Sequence, residues 1–446
     1  MKTLQISSYD IVGEQFNGLA LHREMRARGL RSRMLVHRKD GTDIGVDEIV
    51  ASPRRMELNK NLGSIELRLS LHSVLPIYAG EILRHPWFRE ADVVHLQLMH
   101  ATRFFSLFRL PKLARKKPTV WTVHDPWLMT GRCIHPFDCQ KWQTGCGGCP
   151  DLRTWPPTPK DRSALNFRIK RRALRKSPIH LVFASQWMKQ RAMNSPILQH
   201  LPMEVIPFGV QPDIFRPGDQ TRARAQFGIP ADADVLCFRC VHNPVNFKGT
   251  QYIEQALTAY RPRKPTYLIT FDNTGGFEAL REKYTFVELG WISDRKIMAQ
   301  ALRAADLCLM PSVAESFGVL AIESMACGTP VVCFEGTALP SVIDAPRCGV
   351  AVEYRNAQAL REAIEGLLNN PQRVRSLSAE GLKLVEREYT FDRYVERHLA
   401  LYERLAQQSR GVQRVSLLPP KFRRVGYSTN TASADGEAQS VVVQEG

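Results

Sequence analysis

The chain has 446 residues, 44% of them hydrophobic, which is too long for one core and suits two domains with a tail. No apolar run approaches the ~20 residues of a membrane-spanning helix, the N-terminal residues lack the apolar core of a signal peptide, and ten scattered cysteines do not suggest a disulfide framework. Net charge is +17, and residues 1–204 hold nearly all of it, with 33 Lys and Arg against 17 Asp and Glu, a bias that points to an anionic partner.

Short β-branched runs alternate with amphipathic stretches along the chain. Strands are expected at 4–7, 34–37, 93–96, 120–124 and 181–184, then at 235–238, 267–271, 286–289, 307–310, 331–334 and 350–352. Helical patterns fall between them at 19–28, 252–260, 296–304 and 360–368. Such alternation implies parallel sheets covered on both faces, so each half reads as a doubly wound α/β domain. Pro and Gly cluster between 206 and 218 and suggest a boundary there: 1–205 for the first domain, 206–388 for the second. A last helical pattern at 394–405 lies in an expected crossover segment, 389–408. The polar, small residues of 409–446 read as a disordered tail.

The densest signal lies between the expected strands 307–310 and 331–334. Glu315 and Glu323 stand eight residues apart around Phe317-Gly318-Val319, within Pro311-Ser312 before and Ala326-Cys327-Gly328-Thr329-Pro330 after. A short helix should begin near 316–318, at the carboxyl end of a strand, with the N–H groups of Phe317, Gly318 and Val319 open to an anion such as a diphosphate. Alone, two such glutamates are no more than a solvated helix face. In this context the sequence resembles glycosyltransferase family 4, retaining enzymes of the GT-B fold: two Rossmann-like domains facing a cleft, with a C-terminal crossover helix. The resemblance implies that Glu315 contacts the transferred sugar and Glu323 the nucleotide ribose. It also implies that Arg239 and Lys248, the latter before Gly249, neutralise the leaving diphosphate, so that no cofactor is required for catalysis. Asp232-Ala233-Asp234 has the spelling of a metal motif but reads as a polar turn.

In the first half, residues 120–124 read as a strand ending in His124 and Asp125, and the resemblance places such a histidine beside the donor sugar. Residues 92–97 end on Gln97, where relatives often carry a second histidine. Gly13 and Gly18 flank an expected flexible loop facing the cleft, with Gly13 at the donor. The stretch from Thr122 to Pro150 resembles a bacterial exopolysaccharide, colanic-acid-type branch of the family. Its Cys133, Cys139, Cys146 and Cys149 read either as a structural zinc site, the close of a zinc knuckle, or as reduced structural cysteines. The other six cysteines read as small buried hydrophobes. Two basic, apolar-containing stretches, 103–117 and 162–176, suit an anionic membrane surface or are solvated helix faces with ordinary core sides.

Together these features lead us to expect a hexosyltransferase of exopolysaccharide or capsule synthesis. Its donor is a nucleotide-sugar on the second domain, and its acceptor a lipid-linked saccharide on the first. It is expected in the cytoplasm, peripherally on the inner face of the membrane, with no nucleic-acid partner. The rivals are a nucleotide-sugar epimerase of the same fold and a non-enzymatic scaffold for membrane or nucleic acid.

Overall fold

The computed structural model describes residues 1–11, 13–100, 104–241 and 247–416, with side chains as far as Arg410. The first half contributes strands β1 (Lys2–Tyr9), β2 (Arg31–Arg38), β3 (Val46–Glu48), β4 (Val93–Leu96), β5 (Thr119–Thr122), β6 (Ile179–Phe183) and β7 (Met203–Val205). They form one parallel sheet in the order β3-β2-β1-β4-β5-β6-β7. The second half contributes β8 (Asp234–Cys240), β9 (Thr266–Asp272), β10 (Thr285–Glu288), β11 (Leu307–Met310), β12 (Val331–Phe334) and β13 (Val350–Val352). These also pair in parallel, in the order β10-β9-β8-β11-β12-β13. Strand order reverses between β1 and β4 in one sheet and between β8 and β11 in the other. Crevices form beyond the carboxyl ends of strands at such reversals, so topology alone points to the loops after these four strands.

The central strands are buried on both faces, as parallel strands covered by helices require. Val93–Leu96 and Leu307–Met310 are wholly buried. Two strands escape the sequence pattern, β3 and β7, because three residues carry no period. The helices Pro53–Arg68 and Pro371–Glu388 were also not expected. Of the first, only Asn59 and Glu66 are buried.

Two chain segments join the halves, and they touch. Val210 pairs with Thr390 in a parallel bridge. A Cβ on Gly209 would stand 2.5 Å from the Thr390 carbonyl oxygen, so only glycine lets the strands cross this closely. Phe208 packs there against Phe317 and Tyr394, with ring centroids 5.4 and 5.8 Å away. The last helix, Phe391–Ser416, then lies on the first domain. Its Tyr402 hydroxyl meets Gln5 Nε2 at 3.2 Å and His95 Nδ1 at 2.5 Å, and Arg404 pairs with Glu204 at 3.0 Å. This helix runs past the expected start of the tail at residue 409, and the remainder of the tail, 417–446, lies outside the described residues. Among the described residues no helix is long and apolar enough to cross a membrane.

Candidate active site

On the second domain the site is built from the loops after β8 and β11. Phe247 and Lys248 form a turn just ahead of the helix Thr250–Ala259. Gly249 caps that helix at φ 76°, and a Cβ there would lie 1.9 Å from the Pro311 carbonyl oxygen. The turn therefore presses against the loop after β11, which brings Lys248 Nζ to 2.7 Å from Glu315 Oε2. Burial alone would push the Glu315 carboxyl up, yet Lys248, with His135 and Arg239 nearby, holds it below the usual glutamate range.

The helix Val319–Ala326 begins where the sequence pattern placed it, after Gly318 at φ 93°. Among the described residues no protein acceptor takes the N–H groups of Phe317, Gly318 or Val319. They remain a positive helix end at the strand reversal. The Phe317 ring itself turns away: it is 2% exposed and packs on Phe208 and Tyr389, so only its backbone serves the crevice.

Glu323, one turn deeper, is paired with Arg295 at 2.9 Å, and Arg295 also donates to Gln211 Oε1 at 2.6 Å. Burial pushes the Glu323 carboxyl up despite Arg295 and Arg239. Arg239 projects from β8 and is held by both oxygens of Asp272, at 2.5 and 2.9 Å. The sequence reading missed Arg295 and Asp272. Each is a partner supplied by another element, with no motif of its own. Asp232 and Asp234 precede or open β8 and so lie at the other end of the sheet from these groups.

The first domain answers with neutral groups. His124 stands two residues beyond the end of β5, in the following loop rather than in the strand as expected. Its Nε2 donates to Gln97 Oε1 at 3.1 Å, and its Nδ1 is buried without a partner, a lone pair free to accept from a hydroxyl. Burial lowers its pKa to about 4, so it is uncharged at neutral pH. Gln97 Nε2 in turn donates to Gln5 Oε1 at 3.0 Å and lies 3.2 Å from His95 Nδ1, while His95 Nε2 reaches Thr122 Oγ1 at 2.7 Å. A continuous hydrogen-bonded chain thus links His124 to Tyr402 on the last helix. Gln97, read from sequence only as a departure from relatives, is its junction.

After Gly13 the chain forms a helical turn, Glu14–Asn17, where a flexible loop was expected. This turn sets Phe16 edge-on to His124 and Phe208, at 6.0 and 5.1 Å. Gly13 is tied into the turn through its carbonyl, which accepts from Phe16 and Asn17.

The cysteine-rich segment crosses the cleft. Phe137 stacks on Phe247 at 5.6 Å, Asp138 pairs with Arg355 at 2.8 Å, and His135 lies 5.2 Å from Phe247, close enough to Glu315 and Lys248 to feel both charges. Its four cysteines are free thiols, and among the described residues no group of three His, Cys, Asp or Glu is arranged to hold a metal. Burial pushes the Cys146 thiol up to about 11, and its Sγ accepts from Gly131 N–H at 3.2 Å. Lys170, assigned by sequence to a membrane-facing basic stretch, points inward instead. Its Nζ donates to the carbonyls of Trp127 and Thr130 at 2.5 and 2.9 Å and pins this segment from beneath. Burial lowers its pKa to about 7.

Residues 19–214 match the family model for Glycosyltransferase Family 4, and residues 233–370 the model for Glycosyl transferases group 1. One match falls on each sheet-bearing half of the chain, and the two halves together have the GT-B fold. Among curated proteins, D-inositol 3-phosphate glycosyltransferase 1 of Catenulispora acidiphila is 32% identical over 219 residues, which are 46% of this chain and 52% of that protein. The D-inositol 3-phosphate glycosyltransferase of Segniliparus rotundus is 33% identical over 192 residues, 40% of this chain and 42% of that protein. The chain spans about half the length of the curated relatives it matches. Among solved structures, sucrose-phosphate synthase from Thermosynechococcus elongatus superposes with a TM-score of 0.63 at 18% identity, covering 91% of this chain and 99% of that one. Anabaena HepE in complex with UDP-glucose gives 0.61 at 15% identity, covering 92% and 100%. At these identities the likeness concerns the fold.

Proposed function

We propose that the chain is a retaining hexosyltransferase that moves a sugar from a nucleoside-diphosphate sugar to a lipid-linked or growing saccharide, in the assembly of an extracellular or capsular polysaccharide at the inner face of the membrane. The observation that carries this reading is the Lys248–Glu315 pair, which stands at a strand reversal beside the open N–H groups of Phe317, Gly318 and Val319. A cation, a carboxylate and a positive helix end at one crevice suit a sugar joined to a diphosphate.

In this reading Lys248 and the helix N–H groups hold the diphosphate, with Arg239 behind them. Glu323, oriented by Arg295, accepts from the ribose hydroxyls, and Glu315 from hydroxyls of the transferred sugar. His124 Nδ1 accepts from a further sugar hydroxyl and fixes the pose. The bond between the anomeric carbon and the phosphate oxygen breaks while the acceptor oxygen bonds to the same face of that carbon. The acceptor proton passes to the leaving phosphate oxygen, which completes the balance without a protein nucleophile. Placing positive charge where the leaving group becomes more anionic lowers the barrier more than it tightens the ground state.

The test is thermal stabilisation of the purified protein by a panel of nucleoside diphosphates, with Lys248→Ala alongside. One base should stabilise the wild type, and the variant should lose that shift and about 100-fold in turnover. No shift by any nucleotide at millimolar concentration would sink the reading. With the donor fixed, incubation with a lipid-linked saccharide or with inositol 3-phosphate, the acceptor named in the relatives, separates the acceptor classes. The anomeric configuration of the product tests retention. An isomerised nucleotide-sugar formed without acceptor would favour the epimerase instead.

A further inference from the structure

The segment from Gly131 to Cys139 belongs to the first domain but ends on the second. Its base is fixed from within: Arg132, 2% exposed, donates to the carbonyls of Leu152 and Thr154 at 2.5 and 2.8 Å, and Ile134 N–H donates to the Trp155 carbonyl at 3.2 Å. Its tip is a tight turn closed by Cys139 N–H on the Pro136 carbonyl at 2.9 Å, with Phe137 and Asp138 at the corner. Phe137 has φ 48°, which an aromatic residue rarely adopts and which needs support from its surroundings. The second domain supplies that support. Phe137 stacks on Phe247, and Asp138 pairs with Arg355, whose guanidinium lies 4.7 Å over the Tyr354 ring.

These landing points converge on the loops that carry the charged site. The Phe247 carbonyl accepts from Val313 N–H at 2.9 Å, and the Tyr354 hydroxyl donates to the Val313 carbonyl at 2.8 Å. Val313 is two residues ahead of Glu315, and Phe247 is next to Lys248, so the tip rests on the joint between the Lys248 turn and the Glu315 loop. Between base and tip stands His135. Its ring centroid is 5.2 Å from that of Phe247, and the charges it feels come from both halves: Asp125 and Arg191 on the first, Glu315 and Lys248 on the second. Burial lowers its pKa, so at neutral pH the ring is uncharged and has one N–H to give. Among the described residues neither ring nitrogen has a hydrogen-bond partner, and neither is sealed from solvent. The histidines that serve the fold differ: His22 and His95 are tied at both nitrogens. A diphosphate that drew Lys248 away from Glu315 would bring a phosphate to a ring already near two carboxylates, a setting that favours its N–H as donor.

We propose that His135 is a further catalytic residue, carried across the cleft behind the Phe137–Asp138 tip, whose ring N–H donates to the leaving diphosphate beside Lys248. This rests on the glycosyltransferase reading above and adds no proton transfer to it: the hydrogen bond strengthens as the phosphate oxygen gains charge. The test uses the whole chain with UDP, GDP and ADP, and with UDP-glucose, GDP-mannose and ADP-glucose as donors, for wild type, His135→Phe and His135→Gln. Phenylalanine keeps a ring against Phe247 but loses both nitrogens, whereas glutamine can donate a hydrogen bond and takes no proton. The imidazole signal that His135→Phe removes from the NMR spectrum should shift when the nucleotide that stabilises the protein is added to wild type. Donor hydrolysis without acceptor should fall about 100-fold in kcat in His135→Phe, with KM within about threefold, and His135→Gln should recover about tenfold of that loss. Phe137→Ala combined with Asp138→Ala should lower kcat about tenfold while nucleotide stabilisation is kept, because it loosens the tip and leaves Lys248 in place.

An imidazole signal unmoved by a nucleotide that does stabilise the protein would overturn the proposal. So would a phenylalanine variant as fast as wild type, or a glutamine variant no faster than the phenylalanine one. In each of these cases the glycosyltransferase reading stands. Wild type that neither gains stability from a nucleotide nor splits a donor would fell that reading, and the role of His135 with it.

Discussion

The carboxyl ends of the two sheets face one cleft with different chemistry. Beyond β8 and β11 the groups are charged and paired: Lys248 with Glu315, Arg295 with Glu323, Arg239 with Asp272. Beyond β1, β4 and β5 neutral side chains are linked by hydrogen bonds from His124 through Gln97 and His95 to Tyr402, with the Asp125 carboxylate beside them on His100. The contrast follows from what each side can exchange. An ion pair can trade its partner for a charged ligand at small net cost, because the ligand replaces the lost charge. A buried neutral chain gives up nothing to a diphosphate, but it fixes donor and acceptor directions and so can hold a sugar in one pose. The crossover helix supplies the last member of the neutral chain, whereas the charged side draws all its partners from its own half.

If that division holds, the largest effect should come from the charged side. Glu315→Gln removes the carboxylate at the crevice, and turnover should fall about 1,000-fold with little change in melting temperature, since the pair it breaks is partly exposed. An unchanged rate would move the chemistry away from this pair. Arg295→Ala should weaken nucleotide binding about tenfold, measured by calorimetry, because Glu323 then lacks its orienting partner. The variant also carries a pH signature. The Glu323 carboxyl already lies above its usual range, so it costs stability as pH rises through the unfolded value and that cost is relieved on acidification. Without Arg295 its pKa climbs further, and the acid limb of the rate profile should move to higher pH.

On the neutral side the expected losses are smaller and fall on turnover. Tyr402→Phe removes the hydroxyl shared by His95 and Gln5, and kcat should drop about tenfold while nucleotide stabilisation stays as in wild type. Equal losses in both would show that the chain merely supports the fold. The smallest effect is one of stability alone. His398 is 1% exposed and burial lowers its pKa from 6.5 to about 4. The unfolded chain therefore binds more protons than the folded one between these values, and stability falls as pH drops through them. At pH 5 the share of His398 is about 2 kcal/mol, and His398→Leu should flatten the acid side of the melting-temperature profile by that amount.

The sequence carried much of this arrangement because some features are local. A run such as Leu307–Met310 or Val331–Phe334 is apolar throughout, and its strand follows from the run itself. Gly318 followed by a mostly apolar run signals a helix start at Val319, and Gly249 marks the turn after Lys248. These positions state their own backbone requirement, so the loops after β8 and β11 could be read without a third dimension. The residues that complete the site could not. Arg295 opens a helix far along the chain, Asp272 ends a neighbouring strand, and His135 sits in a cysteine-rich segment, read from sequence as a zinc site or as structural thiols, where nothing announced its contact with Phe247. Nothing in their immediate surroundings names their partners.

Lys170 and the helix Pro53–Arg68 make the same point from opposite sides. In the sequence Lys170 is one more cation among basic neighbours, and only packing turns it inward onto two carbonyls. The Leu58, Leu62, Ile65 and Leu69 spacing is visible in the sequence, but only the fold gives the buried line beside it to Asn59 and Glu66. The sequence by itself determined the two parallel sheets and the place of Glu315 and Glu323 around the start of a helix. Backbone preferences and hydrophobic period act over a few residues, which is the range a sequence can display. The tertiary structure decided which charges pair and which polar groups are buried, because those outcomes depend on elements that meet only when distant parts of the chain pack together.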